Sequence, residues 1–266
     1  MTARAIHALR NAFLSPGRRL FGLRFSRDYL RFAWRAARHW GDTAAGAIDF
    51  LGYRLEYSNQ SHALFLVHEI FVNGAYIFDS PNPRPRIVDC GANIGVGVLF
   101  FKALRPDADI IAFEPDPTTF AHLVRTIEVN KLKDVRAENA AVGETEGTVP
   151  LFYNRSDPGS LTASTQPSWG TGNVSQEVPS VRLSSWIREP VDFLKLDVEG
   201  AEYGVIRDLV ETTALRFVRE AVIEYHELDT EPAGVPRMLE ALQNAGFDVA
   251  VTADEHTGLI HARRRT

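Results

Sequence analysis

From residue 86 onward the hydrophobic positions alternate between two periods, and that alternation sets the expected fold. Arg86-Ile-Val-Asp-Cys is a short buried-strand run; after a glycine-rich turn, Val98, Leu99, Phe101 and Leu104 follow at helical spacing. Residues 109–114 form a second run, closed by Pro115. Beyond Pro117, residues Phe120, Leu123, Val124 and Ile127 occupy the i, i+3, i+4, i+7 positions of a helix. Residues 135–142, 191–198 and 221–225 read as three further strands. Val205, Ile206, Leu209 and Val210, and later Val235, Met238, Leu239 and Leu242, mark two more helices. Strand-like runs around 249–252 and 259–262 end the pattern. Strands that alternate with helices predict an α/β fold, a largely parallel sheet covered by helices.

Before this region the pattern is less regular. Residues 41–85 hold strand-like and turn-like pieces, including Tyr53–Tyr57 and residues 71–78. Residues 154–180 are rich in Ser, Thr, Gly, Pro and Asn, contain Trp169, and are expected to form a lid-like loop. Two units follow from this reading: a helical extension over residues 1–50, and the α/β domain over 51–266.

Composition excludes several classes. The 266 residues are 45% hydrophobic and 24% charged, which rules out a collagen-like, coiled-coil or wholly disordered chain. The single cysteine, Cys90, precludes an internal disulfide and a cysteine-based zinc site. No apolar run reaches the roughly 18 residues of a membrane span, and arginines interrupt the start of the chain, so a cytoplasmic location is expected. Charge is uneven. Residues 1–40 carry nine arginines, no lysine and one acid, Asp28, a net +8; the remainder carries 20 basic and 33 acidic side chains, a net −13. An acidic body does not suit nucleic acid. The basic arm, interleaved with Phe13, Leu20, Phe21, Phe25, Phe32 and Trp34, either packs on the body with its arginines in water or makes a peripheral contact with a membrane.

The chemistry concentrates at strand ends. Asp89-Cys-Gly-Ala-Asn-Ile-Gly-Val-Gly places an acid, then Gly91 and Gly95, between a strand and a helix, which lets a nucleoside approach the backbone. Glu114 ends the next strand, where a carboxylate accepts hydrogen bonds from ribose hydroxyls. A dinucleotide needs a second glycine where this chain has Asn93. A donor without a pyrophosphate, such as S-adenosylmethionine, does not. An NAD(P)-dependent oxidoreductase and a non-catalytic binding protein of the same fold remain the rival readings.

With these residues in view, the chain resembles the FkbM-type family of S-adenosylmethionine-dependent methyltransferases. The resemblance rests on Asp89-x-Gly-Ala-Asn-x-Gly, Phe113-Glu-Pro-Asp-Pro, Asn139-Ala-Ala-Val-Gly, Phe193-Leu-Lys-Leu-Asp-Val-Glu-Gly-Ala-Glu and Ile223-Glu-Tyr-His, over roughly residues 70–250. It implies a class I methyltransferase (Rossmann-like) fold: a seven-stranded sheet, mostly parallel, with an antiparallel closing strand. It also implies methylation of hydroxyls on sugars, glycans or secondary metabolites. The cofactor site is expected at Asp89, Gly91, Asn93, Gly95, Glu114, Pro115, Asn139 and Ala140.

Alternation places Lys195, Asp197 and Glu199 on one side of their strand, with Glu224 and His226 emerging from the next strand about 4.8 Å away. His226 is the expected general base. Asp197 is expected to orient it, to act as base, or to bind Mg²⁺ together with Glu199. Lys195 neutralises the carboxylates or stabilises a developing alkoxide. The expected acceptor is a small molecule or glycan; an oligomer is left open.

Overall fold

The computed structural model describes residues 3–38, 45–154, 161–167, 174–228, 233–253 and 257–265. Two helices, α1 (Ala3–Leu14) and α2 (Pro16–Arg38), lead to a hairpin of β1 (Gly46–Phe50) and β2 (Tyr53–Tyr57). Helix α3 (Gln60–Val67) continues into one π-helical turn, His68–Asn73. Then come β3 (Arg86–Cys90), α4 (Val96–Leu104), β4 (Asp109–Phe113), α5 (Pro117–Val129) and β5 (Val135–Glu138). After them follow β6 (Ala141–Gly143), β7 (Gly147–Tyr153), β8 (Val174–Arg182), β9 (Val191–Leu196) and α6 (Glu202–Glu211). Strand β10 (Val218–His226), helix α7 (Gly234–Asn244), β11 (Phe247–Ala253) and β12 (Thr257–Arg264) close the order.

Seven strands form one sheet in the order β11-β12-β10-β9-β3-β4-β5. Strand β12 is antiparallel to both neighbours, β10 and β11; the other neighbours pair in parallel. This is the mostly parallel seven-stranded sheet expected, with its antiparallel closing strand. The chain runs outward through β3, β4 and β5, then returns to β9 on the other side of β3. In open α/β sheets ligands bind at such a reversal, outside the carboxyl ends of the strands.

Period-two alternation divides the core. Ile87, Phe193 and Val222 face a layer that includes α4, α5 and the N-terminal helices. Val88, Cys90, Leu194, Leu196 and Ile223 face α6 and α7. Continuing the first stripe along each strand brings Asp89, Lys195 and Glu224 to the same face. Asp89 and Lys195 are register partners on adjacent strands.

Two boundaries differ from the sequence reading. Residues 135–142 are not one strand: the chain turns at Asn139, and β6 leaves the main sheet for a three-stranded sheet of order β6-β8-β7. The turn is held by Asn139, whose side-chain amide donates to the carbonyls of Glu114 (2.9 Å) and Pro115 (3.0 Å). The expected loop over 154–180 is shorter, because residues from 174 onward belong to β8 and pair antiparallel with β7 from Tyr153↔Val174 to Gly147↔Ser180. Trp169 lies outside the described residues.

The N-terminal helices join the main core. Phe25 and Phe32 are fully buried, and an aromatic cluster carries the contact onward through Phe71 to Phe100, whose ring centroids are 5.1 Å apart. Asp28, the one acid of the arm, is buried and accepts the Leu51 amide at 3.1 Å, which ties α2 to the hairpin that straddles residue 50. Among the described residues, no helix is long and apolar enough to cross a membrane.

Candidate active site

The turn after β3 is built around its neighbours. Gly91 has φ +81, and a Cβ there would lie 1.8 Å from the Asp197 carbonyl oxygen, so close approach of the turn after β9 requires glycine. The amides of Gly91 and Ala92 both donate to the Phe113 carbonyl, at 3.0 and 2.9 Å. Gly95, at φ +92, meets Leu123 and Thr126 of α5, so it lets the start of α4 pack closely on α5.

One half of the cleft is lined by Asp89, Gly91, Ala92, Asn93, Gly97, Phe113, Glu114, Pro115 and Ala140. Glu114 is buried and accepts from the Asn93 amide on one oxygen and the Asp116 amide on the other, both at 2.9 Å. Burial pushes its pKa up to about 8, against the pull of those two donors. When ionised, each oxygen keeps a free lone pair for a ribose hydroxyl. Asp89 is fully buried, and neither of its oxygens accepts a hydrogen bond. Lys195 Nζ stands 3.4 Å from Oδ1, an ion pair without hydrogen-bond geometry. A buried carboxylate left short of donors while lining a cleft is a place for a ligand that brings them. These residues fit the donor expected: hydroxyls for Glu114, an ammonium or amide for Asp89. Asn139 and Gly95 do not line the cleft; they shape its wall.

The other half brings Lys195, Asp197, Glu199, Glu224, Glu69 and Tyr76 together. Lys195 is buried and donates to the carbonyls of Gly91 (2.6 Å) and Cys90 (3.2 Å). Its ammonium lies 3.2 Å from Asp197 Oδ2 and 5.3 Å from the Tyr76 ring centroid. Burial works against its charge, but Asp197 and Asp89 outweigh burial and raise its pKa. Glu224 is raised by burial and by the Asp197 and Glu69 carboxylates. Glu69 is pushed up to about 7, by burial first and by Asp197 second, with Lys195 opposing.

His226 is placed differently from the expectation. It does not line the cleft. It is buried, with Nδ1 3.2 Å from Glu202 Oε1 and Nε2 3.4 Å from Glu199 Oε2. Burial disfavours its charge, yet Glu202, Glu199 and Asp197 overcome that and push its pKa up to about 10. With both ring nitrogens turned to carboxylates and the side chain away from the cleft, His226 is not placed beside an acceptor hydroxyl, where it was expected as general base. Glu202, also buried, accepts the amides of Val198 (3.0 Å) and Gly200 (3.0 Å to Oε2) and thereby fixes the turn after β9. Glu199 sits in that turn at φ +54.

Asp197, Glu199 and His226 each offer one ligand-type atom within 4.8 Å of the others. An ion at this set would have to displace Lys195 from Asp197 (3.2 Å) and His226 from Glu199 (3.4 Å).

Glu69 was absent from the sequence-derived site. It lies two residues before the strand-like run at 71–78, and the π-helical turn that carries it, His68–Asn73, has no sequence signature. Glu224 was anticipated beside Asp197 and is found there.

A seven-stranded sheet of this order, with an acid and a glycine turn after β3 and a ribose-type carboxylate after β4, defines a class I methyltransferase. Residues 89–249 match the methyltransferase FkbM domain, and the chain belongs to that family. Methyltransferase sdnD of Sordaria araneosa is 33% identical over 239 residues, covering 76% of this chain and 90% of that protein. The 31-O-demethyl-FK506 methyltransferase FkbM of Streptomyces tacrolimicus is 27% identical, over 76% of this chain and 88% of that one. The 2-O-methyltransferase NoeI of Sinorhizobium fredii is 29% identical, over 51% and 62% respectively. The protein is thus an S-adenosylmethionine-dependent methyltransferase, and the oxidoreductase reading is set aside.

A thermal shift tests the donor half. A ligand at 100 times its dissociation constant adds about 2.7 kcal/mol to folding stability. S-adenosylhomocysteine is expected to raise the melting temperature while NAD and NADP leave it unchanged. Glu114→Gln replaces one oxygen by an amide nitrogen that cannot accept, and is expected to weaken S-adenosylhomocysteine about 10–100-fold by calorimetry, because a buried hydroxyl donor is left without its acceptor. Unchanged affinity in that variant overturns the ribose assignment.

Proposed function

We propose that the protein transfers the methyl group to a hydroxyl of a polyhydroxylated acceptor, a sugar, glycan or secondary metabolite. The observation that carries this reading is the group of carboxyls, Asp197, Glu69 and Glu224, that lines the cleft beside the donor half with Lys195 as the cation among them. Carboxylates are the acceptors that hydroxyl-rich molecules need, and one of these three is poised to take a proton near neutral pH. Two relatives whose names specify O-methylation support the same reading.

Bound S-adenosylmethionine supplies an activated methyl group on a sulfonium. The chain's own residues have two tasks, to align the acceptor oxygen and to accept its proton. Alignment of two bound reactants contributes up to about 7–11 kcal/mol. Glu69, at about 7, is the proton acceptor in this scheme: ionised often enough to act as base, yet basic enough to hold the proton. Asp197 pairs with Lys195 and, after burial, is the second cause that raises Glu69. Lys195 holds the turns after β3 and β9 together and balances the negative charge that develops.

The test is mass spectrometry of products formed from isotope-labelled donor and a panel of sugars, glycans and hydroxylated metabolites, with amines and thiols as controls. Label on nitrogen or sulfur but never on oxygen overturns the reading. The internal pairing of Asp197 and Glu199 carries a second expectation. Activity is expected to survive exhaustive treatment with a chelator and to gain less than about twofold from added Mg²⁺, because the ion must displace paired cations and usually keeps several waters. Loss on chelation with rescue by Mg²⁺ overturns it.

A further inference from the structure

The catalytic reading leaves the outer face of the N-terminal helices unexplained. Six of the eleven large hydrophobic side chains exposed among the described residues lie within the first 34 positions. Leu14, Leu23 and Trp34 are 68%, 67% and 60% exposed, and Phe13 is 48% exposed. The other five, such as Val129 and Val251, are scattered over the domain. Single exposed apolar residues are ordinary; a concentration of them on one element is not.

Helical geometry explains how one segment serves two surfaces. Beyond the kink at Gly22, Phe25, Tyr29, Phe32 and Ala36 recur at the spacing of one buried stripe. Leu23, Arg27 and Trp34 recur, exposed, on the opposite side, while Leu30 between them is half-buried against the core. Phe13 of α1 joins this second stripe in a shallow groove with Leu23, Arg27 and Leu30. Arg27 lies on this stripe and the exposed Arg31 follows one turn on. The one acid among the first 40 residues, Asp28, is buried and pairs with Arg27 Nε at 3.0 Å, so it offsets one of the nine arginines and the segment keeps a net +8. Burial in the protein core therefore accounts for one stripe only. Aromatic and leucine side chains interleaved with arginines on a helix face match the boundary between water and an anionic bilayer, where the apolar groups enter the acyl boundary and each arginine near the surface gains about 1 kcal/mol.

We propose that this face docks the enzyme on an anionic lipid surface, as a peripheral contact and not as a membrane span. The charge carries the choice of occupant: a neutral apolar partner would leave the arginines unanswered.

The test is co-flotation of the full chain with vesicles of phosphatidylcholine alone or mixed with phosphatidylglycerol. Flotation is expected with the mixed vesicles at low salt and is expected to be lost as salt rises, since the screening length falls from about 10 Å at 0.1 M to about 3 Å at 1 M. Arg31→Glu and the double variant Leu23→Ser/Trp34→Ser are each expected to weaken binding at least about tenfold. Both should keep the melting-temperature shift with S-adenosylhomocysteine, which shows that the fold and donor site are intact. Equal binding to neutral vesicles, no flotation at any salt, or full binding by the variants overturns the proposal. So does a self-association of the wild type, seen by sedimentation, that Leu23→Ser abolishes while flotation persists unchanged; the face is then a contact between copies of the chain.

Discussion

Glu69→Gln is expected to lower methyl transfer by roughly 10²–10⁴, the contribution of a positioned base, while the thermal shift with S-adenosylhomocysteine stays as in the wild type. The glutamine keeps the size of the side chain and its place in the cleft wall but cannot take the acceptor's proton. The sharper readout is the pH–rate profile. A base must be ionised to act, so wild-type activity should rise with pH through about 7 and then level, following Glu69. In Glu69→Gln that limb should vanish. Asp197→Asn separates a positioning role from a proton-accepting one. The Asp197 charge is among the causes that raise Glu69, so its removal should move the limb to lower pH. A profile in which the limb stays near 7 in Glu69→Gln and disappears in Asp197→Asn reverses the two roles.

Much of this site is legible in the sequence because parallel strands announce themselves. The runs Arg86–Cys90, Asp109–Phe113 and Val191–Leu196 are short and mostly apolar, and each leads into residues that face the cleft. Strand alternation places Lys195 and Asp197 on one side of their strand; that Asp89 and Glu224 share the face of Lys195 follows from Ile87, Phe193 and Val222, which occupy one face two residues earlier. Adjacent registers complete the constellation.

What escaped the sequence depends on contacts between segments. His226 has the ordinary titration of an imidazole until Glu199 and Glu202 close on both of its nitrogens, and that closure requires a left-handed residue at Glu199 which no pattern announces. Glu69 reaches the cleft through a π-helical turn whose neighbours Phe71 and Val72 are buried among aromatic residues, and the run from residue 71 onward looks like strand. Strand β8 is similarly hidden. Its alternation is carried by Val178 and Ser180 among mostly polar neighbours, and only its pairing with β7 gives the segment a buried side. In each case tertiary partners, not local propensity, decide the outcome.

Lys195→Met is expected to be the most damaging single change to stability. The ammonium is buried and faces Asp89 and Asp197, while it also clamps two carbonyls of the turn after β3. Removing one partner of a buried ion pair costs about 3–5 kcal/mol, because the charge left behind has no compensation. For a chain of this size that corresponds to a fall in melting temperature of roughly 10 °C or more. The pH dependence identifies the cause. Carboxyls whose folded pKa is raised, here Glu69 at about 7 and Glu114 at about 8, hold their protons more tightly folded than unfolded. They stabilise the fold below their ordinary values, and that stabilisation is lost as pH rises through the folded ones. His226 acts with the same sign, its stabilisation present below about 6.5 and lost as pH rises through about 10. These three groups give the wild type a declining stability between about pH 5 and 10. Without Lys195, Asp89 and Glu224 should rise further, since the lysine charge opposes the shift at both, so the decline should steepen and the variant should approach the wild type at acid pH. Adding Asp89→Asn to Lys195→Met removes the stranded charge and should recover part of the loss at pH 8. Thermal melts of the three proteins across this range check it: a pH-independent deficit that Asp89→Asn fails to relieve means that the lost carbonyl clamps, not the ion pair, hold the site together.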